Sequence, residues 1–192
     1  MTEVMGAPTS NADDEWVELL GTADFDLNGL TLTGTSGTAR TVISDTCLPV
    51  AAGTYAVLSK VATPSSNLPF VNYAYGTLAI TNTSAGSLPL TLPDGTVVDA
   101  INFSKPVSGK SWSLDPSLLD TISNDDPISF CAAQTQWSGG DYGTPGAANP
   151  ACPVAPDPTK CFDESLDAGR PIVEPADGDL VIYSAIALDE TQ

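Results

Sequence analysis

Asp14-Glu15-Trp16-Val17-Glu18-Leu19-Leu20 is the stretch on which the fold turns. Its side chains alternate: Trp16 and Glu18 fall on one side of an extended chain, Val17 and Leu19 on the other. A period of two is the signature of a strand with two distinct faces. Thr2-Glu3-Val4-Met5 reads as a second strand just before it, and Gly6-Ala7-Pro8-Thr9-Ser10-Asn11 supplies the breakers between them. The pair reads as the opening of an antiparallel β-sandwich, to which later strands return.

Short extended segments cut by turns fill the rest. Leu30–Thr33 and Thr38–Ser44 flank Gly34 and Gly37 and read as a hairpin. Thr54–Ser59, Leu78–Thr81, Ser87–Leu92, Thr96–Phe103, Ser111–Leu114 and Ile128–Ala132 read as further strands, with Asp115–Asp120 as one helical turn. Pro89 calls for an edge position or a bulge, because proline lends no donor to a ladder. No amphipathic helical stretch exceeds about two turns. The expected class is therefore all-β, not α/β or helical.

Composition narrows the function. The chain has 192 residues, enough for one domain of about 150 residues and an appendage. Its formal charge is −18, from 24 acidic and 6 basic residues. Such a charge repels phosphate backbones, so no nucleic-acid partner is expected. A hydrophobic content of 42% excludes wholesale disorder. No run reaches the length of a membrane span, and no basic-then-apolar leader follows Met1. Membrane insertion is not expected, and any secretion signal is expected to lie outside this chain.

The four cysteines are Cys47, Cys131, Cys152 and Cys161, with no C-x-x-C pair and no histidine. Disulfides in an oxidising compartment are the better reading, which points to an extracellular or cell-surface location. Cys131–Cys152 with Cys47–Cys161 is slightly preferred to Cys47–Cys131 with Cys152–Cys161.

The order of signals carries a resemblance. It runs from Thr2-Glu3-Val4-Met5 to Glu15-Trp16-Val17-Glu18-Leu19, Asp26-Leu27-Asn28-Gly29-Leu30-Thr31-Leu32 and Gly53-Thr54-Tyr55-Ala56-Val57-Leu58. It continues through Leu92-Pro93-Asp94-Gly95-Thr96-Val97-Val98-Asp99 and Ser111-Trp112, and closes on Gly143-Thr144-Pro145-Gly146-Ala147-Ala148-Asn149. Over residues 2–149 the chain resembles the lamin-tail domain in its bacterial, secreted form. Two departures stand out: Leu30 replaces a frequent tryptophan, and a tail follows the closing motif. The resemblance implies an immunoglobulin-like β-sandwich without catalytic residues, an extracellular structural or interaction module. Its expected partners are proteins, through self-association or neighbouring domains, or surface glycans.

After residue 150 the composition changes. Residues 151–178 read as a proline-rich and acidic linker that carries Cys152 and Cys161. Residues 179–192 hold an apolar strand pattern with Leu180, Val181, Ile182 and Ile186. This is the start of a second repeat, a strand that folds back, or one donated to a neighbour. The last option makes the chain a self-assembling filament or surface-layer-type subunit.

Candidate chemistry is sparse. Asp24-x-Asp26-x-Asn28-Gly29 copies half of a calcium loop, but Thr35 stands where a bidentate glutamate belongs. Asp13, Asp14, Asp125 and Asp126 form two further acid clusters. Calcium is the one cofactor such oxygens could recruit, as in an adhesive or accessory domain of a secreted hydrolase; turns and solvated charge are the preferred reading. Without histidine no Ser–His–Asp or Cys–His arrangement exists. Lys105 and Lys110 beside Ser104, Ser108 and Ser111 read as a polar turn. Glu3, Glu15 and Glu18 could in principle oppose one another as in a glycosidase, but are expected to face outward. Phe70, Tyr73 and Tyr75, in a long loop, are the expected exposed contact patch.

Overall fold

The computed structural model describes residues 1–9, 11–66, 68–137 and 140–154. Met1–Pro153 forms one compact unit. Leu180, Val181, Ile182, Ile186 and Cys161 lie outside the described residues.

The chain is all-β. Its strands are β1 (Glu3–Met5), β2 (Trp16–Leu20), β3 (Phe25–Asp26), β4 (Thr31–Thr33), β5 (Ala39–Thr41), β6 (Pro49–Val50), β7 (Tyr55–Ser59), β8 (Tyr73–Ala74), β9 (Gly86–Thr91), β10 (Val97–Phe103), β11 (Trp112–Leu114) and β12 (Phe130–Ala132). Among the described residues the helical segments are short 3-10 turns at Pro116–Leu118, Ser123–Asp125 and Pro127–Ser129. Asp115 and Asp126 cap the first and third of these, each followed by a proline that has no N–H to satisfy.

One sheet runs β12-β11-β1-β2-β7-β8, a second β10-β9-β4-β5, and β3 pairs with β6 alone. All pairings are antiparallel except that of β7 with β8. Val4, Val17, Leu19, Leu58 and Leu114 from the first sheet share one buried cluster with Leu32, Leu88, Leu90, Ile101 and Phe103 from the second. Two antiparallel layers thus enclose one apolar core, the sandwich-like arrangement that strand alternation calls for.

Three local expectations need correction. Leu78–Thr81 is not a strand: Leu78 and Ile80 are buried, but the carbonyl of Ala79 is occupied by the N–H of Thr35 in a loop contact. Gly76, at φ 71°, has already turned the chain out of the ladder. Ile128 belongs to a 3-10 turn, and the strand begins at Phe130. Tyr73–Ala74, read as loop, is a short strand beside β7. Pro89 lies in a strand with neighbours on both sides, yet pairing with β4 stops at Leu32↔Leu90, one residue before it. The missing N–H therefore falls where the ladder has ended.

Candidate functional site

The first sheet has a second buried face. In the β1–β2 register Glu3 faces Glu18, Val4 faces Val17 and Met5 faces Trp16. Alternation sends Val4, Val17 and Leu19 into the main core and puts Glu3, Met5, Trp16 and Glu18 on the opposite side. Neighbouring strands add to that side: Ser113 pairs with Glu3, Val57 with Glu18 and Ser59 with Trp16. Glu3, Glu18, Met5, Trp16 and Val57 are all 0% exposed.

The closing segment provides the cover. Met5, Trp16 and Val57 form a small apolar cluster with Leu68 and Trp137 packed against it. The rings of Trp16 and Trp137 meet edge to face at 5.6 Å, and Trp137 Nε1 donates to the carbonyl of Ser66 at 2.7 Å. Beyond Trp137 the chain crosses the two carboxylates. The N–H of Thr144 donates to Glu3 Oε1 at 3.1 Å and that of Gly146 donates to Glu18 Oε2 at 2.6 Å. Asn149 Nδ2 donates to the carbonyls of Thr2 and Leu114, at 3.0 and 3.1 Å. Gly143 is required by space: a Cβ there would lie 2.7 Å from the Trp137 ring and 3.0 Å from Glu3 Oε1.

Glu3 is the better solvated of the pair by protein groups. Its Oε1 also accepts from the hydroxyls of Ser111 and Ser113, the latter at 2.9 Å. Glu18 Oε1 accepts from Thr2 Oγ1 at 2.8 Å. Thr144 Oγ1 lies 2.6 Å from Asn149 Oδ1 and 3.3 Å from Glu3 Oε2. With its single proton given to Asn149, a proton on Glu3 Oε2 would complete the other contact.

Two carboxyl groups so placed resist double ionisation. Burial is the largest influence on Glu3 and lifts it to about 7 against the pull of its hydroxyl and N–H donors. Glu18 rises to about 8, through burial first and the neighbouring Glu3 second. The pair therefore holds at least one proton near neutrality, shared between the two positions. Glu15, half-buried beside Lys60 Nζ at 3.8 Å, is also raised to about 7 by burial.

These carboxylates correct the expectation that Glu3 and Glu18 face outward. The sequence carries the signal: Trp16 shares a face with Glu18 and Met5 with Glu3, so that face also has to be covered.

Compared with known proteins, the chain matches no family model, no curated protein and no solved structure.

The other candidates are dispersed. Asp13 pairs with Lys60 at 3.1 Å, and buried Asp14 accepts from the N–H and hydroxyl of Ser65. Asp24 accepts from the N–H of Ala52, and Asp26 from those of Asn28 and Leu48. Asn28 clasps the backbone of Ser44 in both directions. Asp126 caps its 3-10 turn, and exposed Asp125 gives its carbonyl to Asn102 Nδ2. Among the described residues no three His, Cys, Asp or Glu side chains group as metal ligands do.

The aromatic patch is not a unit. Phe70 is 41% exposed, Tyr73 is half-buried with its hydroxyl near the backbone of Thr41 and Ile43, and Tyr75 is only 4% exposed. Tyr75 thus belongs to the core, a correction with a simple cause: it follows β8, which pairs with buried β7. Ser111, set aside as a turn residue, is buried and serves Glu3, while Lys110 sits 4.9 Å above the ring of Tyr142.

Cys131 and Cys152 are bridged, with 5.7 Å between their Cα atoms, which removes the alternative of Cys47–Cys131 with Cys152–Cys161. Cys47 is exposed and unbridged among the described residues. The bridge ties β12 to the chain just past the closing segment, where the N–H of Cys152 also donates to Asp115. Among the described residues no helix is long and apolar enough to cross a membrane.

Proposed function

We propose that this chain is a non-catalytic extracellular module of the lamin-tail type, an immunoglobulin-like sandwich that binds or spaces other proteins at the surface of a bacterial cell. One observation carries the reading. The closing segment, Gly143–Asn149, is bonded through Glu3, Glu18 and the carbonyls of Thr2 and Leu114 into three neighbouring strands. The carboxylates with the most unusual surroundings thus act as internal fasteners, closed to any substrate the size of a sugar or peptide.

The order of motifs over residues 2–149 supports the family. The Cys131–Cys152 bridge supports an oxidising compartment. The charge of −18 suits a surface that stays soluble and repels nucleic acid.

The test is retention against turnover. Purified chain added to envelope fractions of the producing cell is expected to be retained saturably, equally well as wild type and as Glu3→Gln. Lack of saturable retention would count against the module. So would hydrolysis of a polysaccharide, peptide or ester that vanishes in Glu3→Gln.

A further inference from the structure

Away from the carboxylates, the two sheets part at one end and leave a cleft of about 450 Å³. Leu19 and Leu114 of the first sheet and Leu90 of the second form apolar wall, all of them buried. Leu92, Val98 and Leu119 line it too and stay 37%, 42% and 42% exposed, so apolar surface continues out to solvent. A cleft of this size with apolar walls and few polar groups is the usual form of a binding site.

The charged side chains are of one sign. Asp26, Asp99 and Asp120 line the cleft, and among the described residues no basic side chain does. Asp99 is paired with the Met1 ammonium and receives Asn124 Nδ2. Among the described residues Asp26 and Asp120 are satisfied by neutral donors, with no cation paired to either. Asn124 also lines the cleft but is only 1% exposed, and its Oδ1, without a hydrogen-bond partner among the described residues, is closed off from the cleft. Walls and charge ask for the same occupant: an apolar body that carries cationic groups. A second copy of the chain fits poorly, because each copy carries −18.

We propose that this cleft docks a short segment of a partner protein in which one or two large apolar side chains are flanked by lysine or arginine. The proposal rests on the module reading and names the chemistry of its partner.

The test uses the full 192-residue chain and two probes, acetyl-Lys-Leu-Phe-Lys-amide and acetyl-Glu-Leu-Phe-Glu-amide, followed by amide chemical shifts. The basic peptide is expected to move the signals of Leu92, Val98, Leu119 and Asn124, and to bind about tenfold more tightly than the acidic one. Leu119→Ser, at an exposed position where the melting temperature should hold, is expected to weaken binding about fivefold, and Asp120→Asn about threefold. No movement of those signals at millimolar basic peptide would overturn the proposal. So would equal affinity for both peptides, or indifference to both variants. A concentration-dependent dimer that Leu119→Ser dissolves would assign the face to a second copy and overturn it as well. Saturable envelope retention that persists in Leu119→Ser, with no peptide bound, would sink the cleft and leave the module reading intact.

Discussion

The two faces of the first sheet are buried equally and by different means. The inner face, with Val4, Val17, Leu19 and Leu58, meets the second sheet through apolar contact alone. The outer face carries Glu3, Glu18, Ser111 and Ser113 beside Met5, Trp16 and Val57, and is covered by a loop. Apolar contact has no direction, so it tolerates the slide of one layer on another. A loop brings unpaired N–H groups with it, and these must find acceptors. The two glutamates are those acceptors. The difference teaches that burial beneath a loop selects for buried acceptors, whereas burial beneath a sheet selects for hydrocarbon.

Moving the chemistry of one face to the other should break the molecule. Val17→Glu places a carboxylate on the inner face among leucines and valines. A loss above about 4 kcal/mol is expected, seen as failure to fold or as a collapsed unfolding midpoint in urea. A well-folded variant of wild-type stability would erase the distinction between the faces.

The bridge comes next. Cys131→Ser with Cys152→Ser frees the end of the covering segment, and a loss of roughly 2–4 kcal/mol is expected by chemical denaturation. A subtler change probes the cover itself. Asn149→Ala removes one donor each from the carbonyls of Thr2 and Leu114, the former keeping the N–H of Leu114, at a cost of about 1–2 kcal/mol. Hydrogen exchange should then quicken at Thr144 and Gly146 before it quickens in β2 or β7. Uniform acceleration across the sheet would mean that the segment is not a separate cover.

Much of this was legible in the sequence. The pattern of short alternating or extended segments cut by turns located β1, β2, β4, β5, β7, β9, β10 and β11. It failed at Leu78–Thr81, where the same alternation serves a loop that buries Leu78 and Ile80 without a ladder partner. It missed β3 and β6, which are two residues each and too short to alternate. The carboxylate pair was half legible. Glu3 and Glu18 were visible as strand residues, but their partner in space begins at Gly143, more than a hundred residues on. No local pattern announces such a contact. Tyr75 was misplaced for the same reason, since its environment comes from β7 and not from its own loop. Asp26 was read as a turn residue and accepts from the N–H of Asn28 two residues on; Asp24, read the same way, accepts instead from distant Ala52, and Asp126, read as solvated charge, caps a 3-10 turn.

The most direct measurement is stability against pH. In the unfolded chain the glutamates titrate near 4.5; in the fold Glu3 stands at about 7 and Glu18 at about 8. Between those values the folded form binds more protons than the unfolded one, so stability falls as pH rises through this window. Glu15 acts in the same direction. Asp26, Asp94, Asp115 and Asp120 are held below the usual carboxylate range by hydrogen bonds, so their contribution is lost only in stronger acid. Urea denaturation at pH 5 and pH 8 should show a loss on the order of 6 kcal/mol in the wild-type chain at the higher pH. In Glu18→Gln, whose amide can keep both hydrogen bonds without ionising, the loss should shrink to less than about half of that. A wild-type chain equally stable at both pH values, or a variant that falls as steeply, would contradict the buried pair as the fastener of the covering segment.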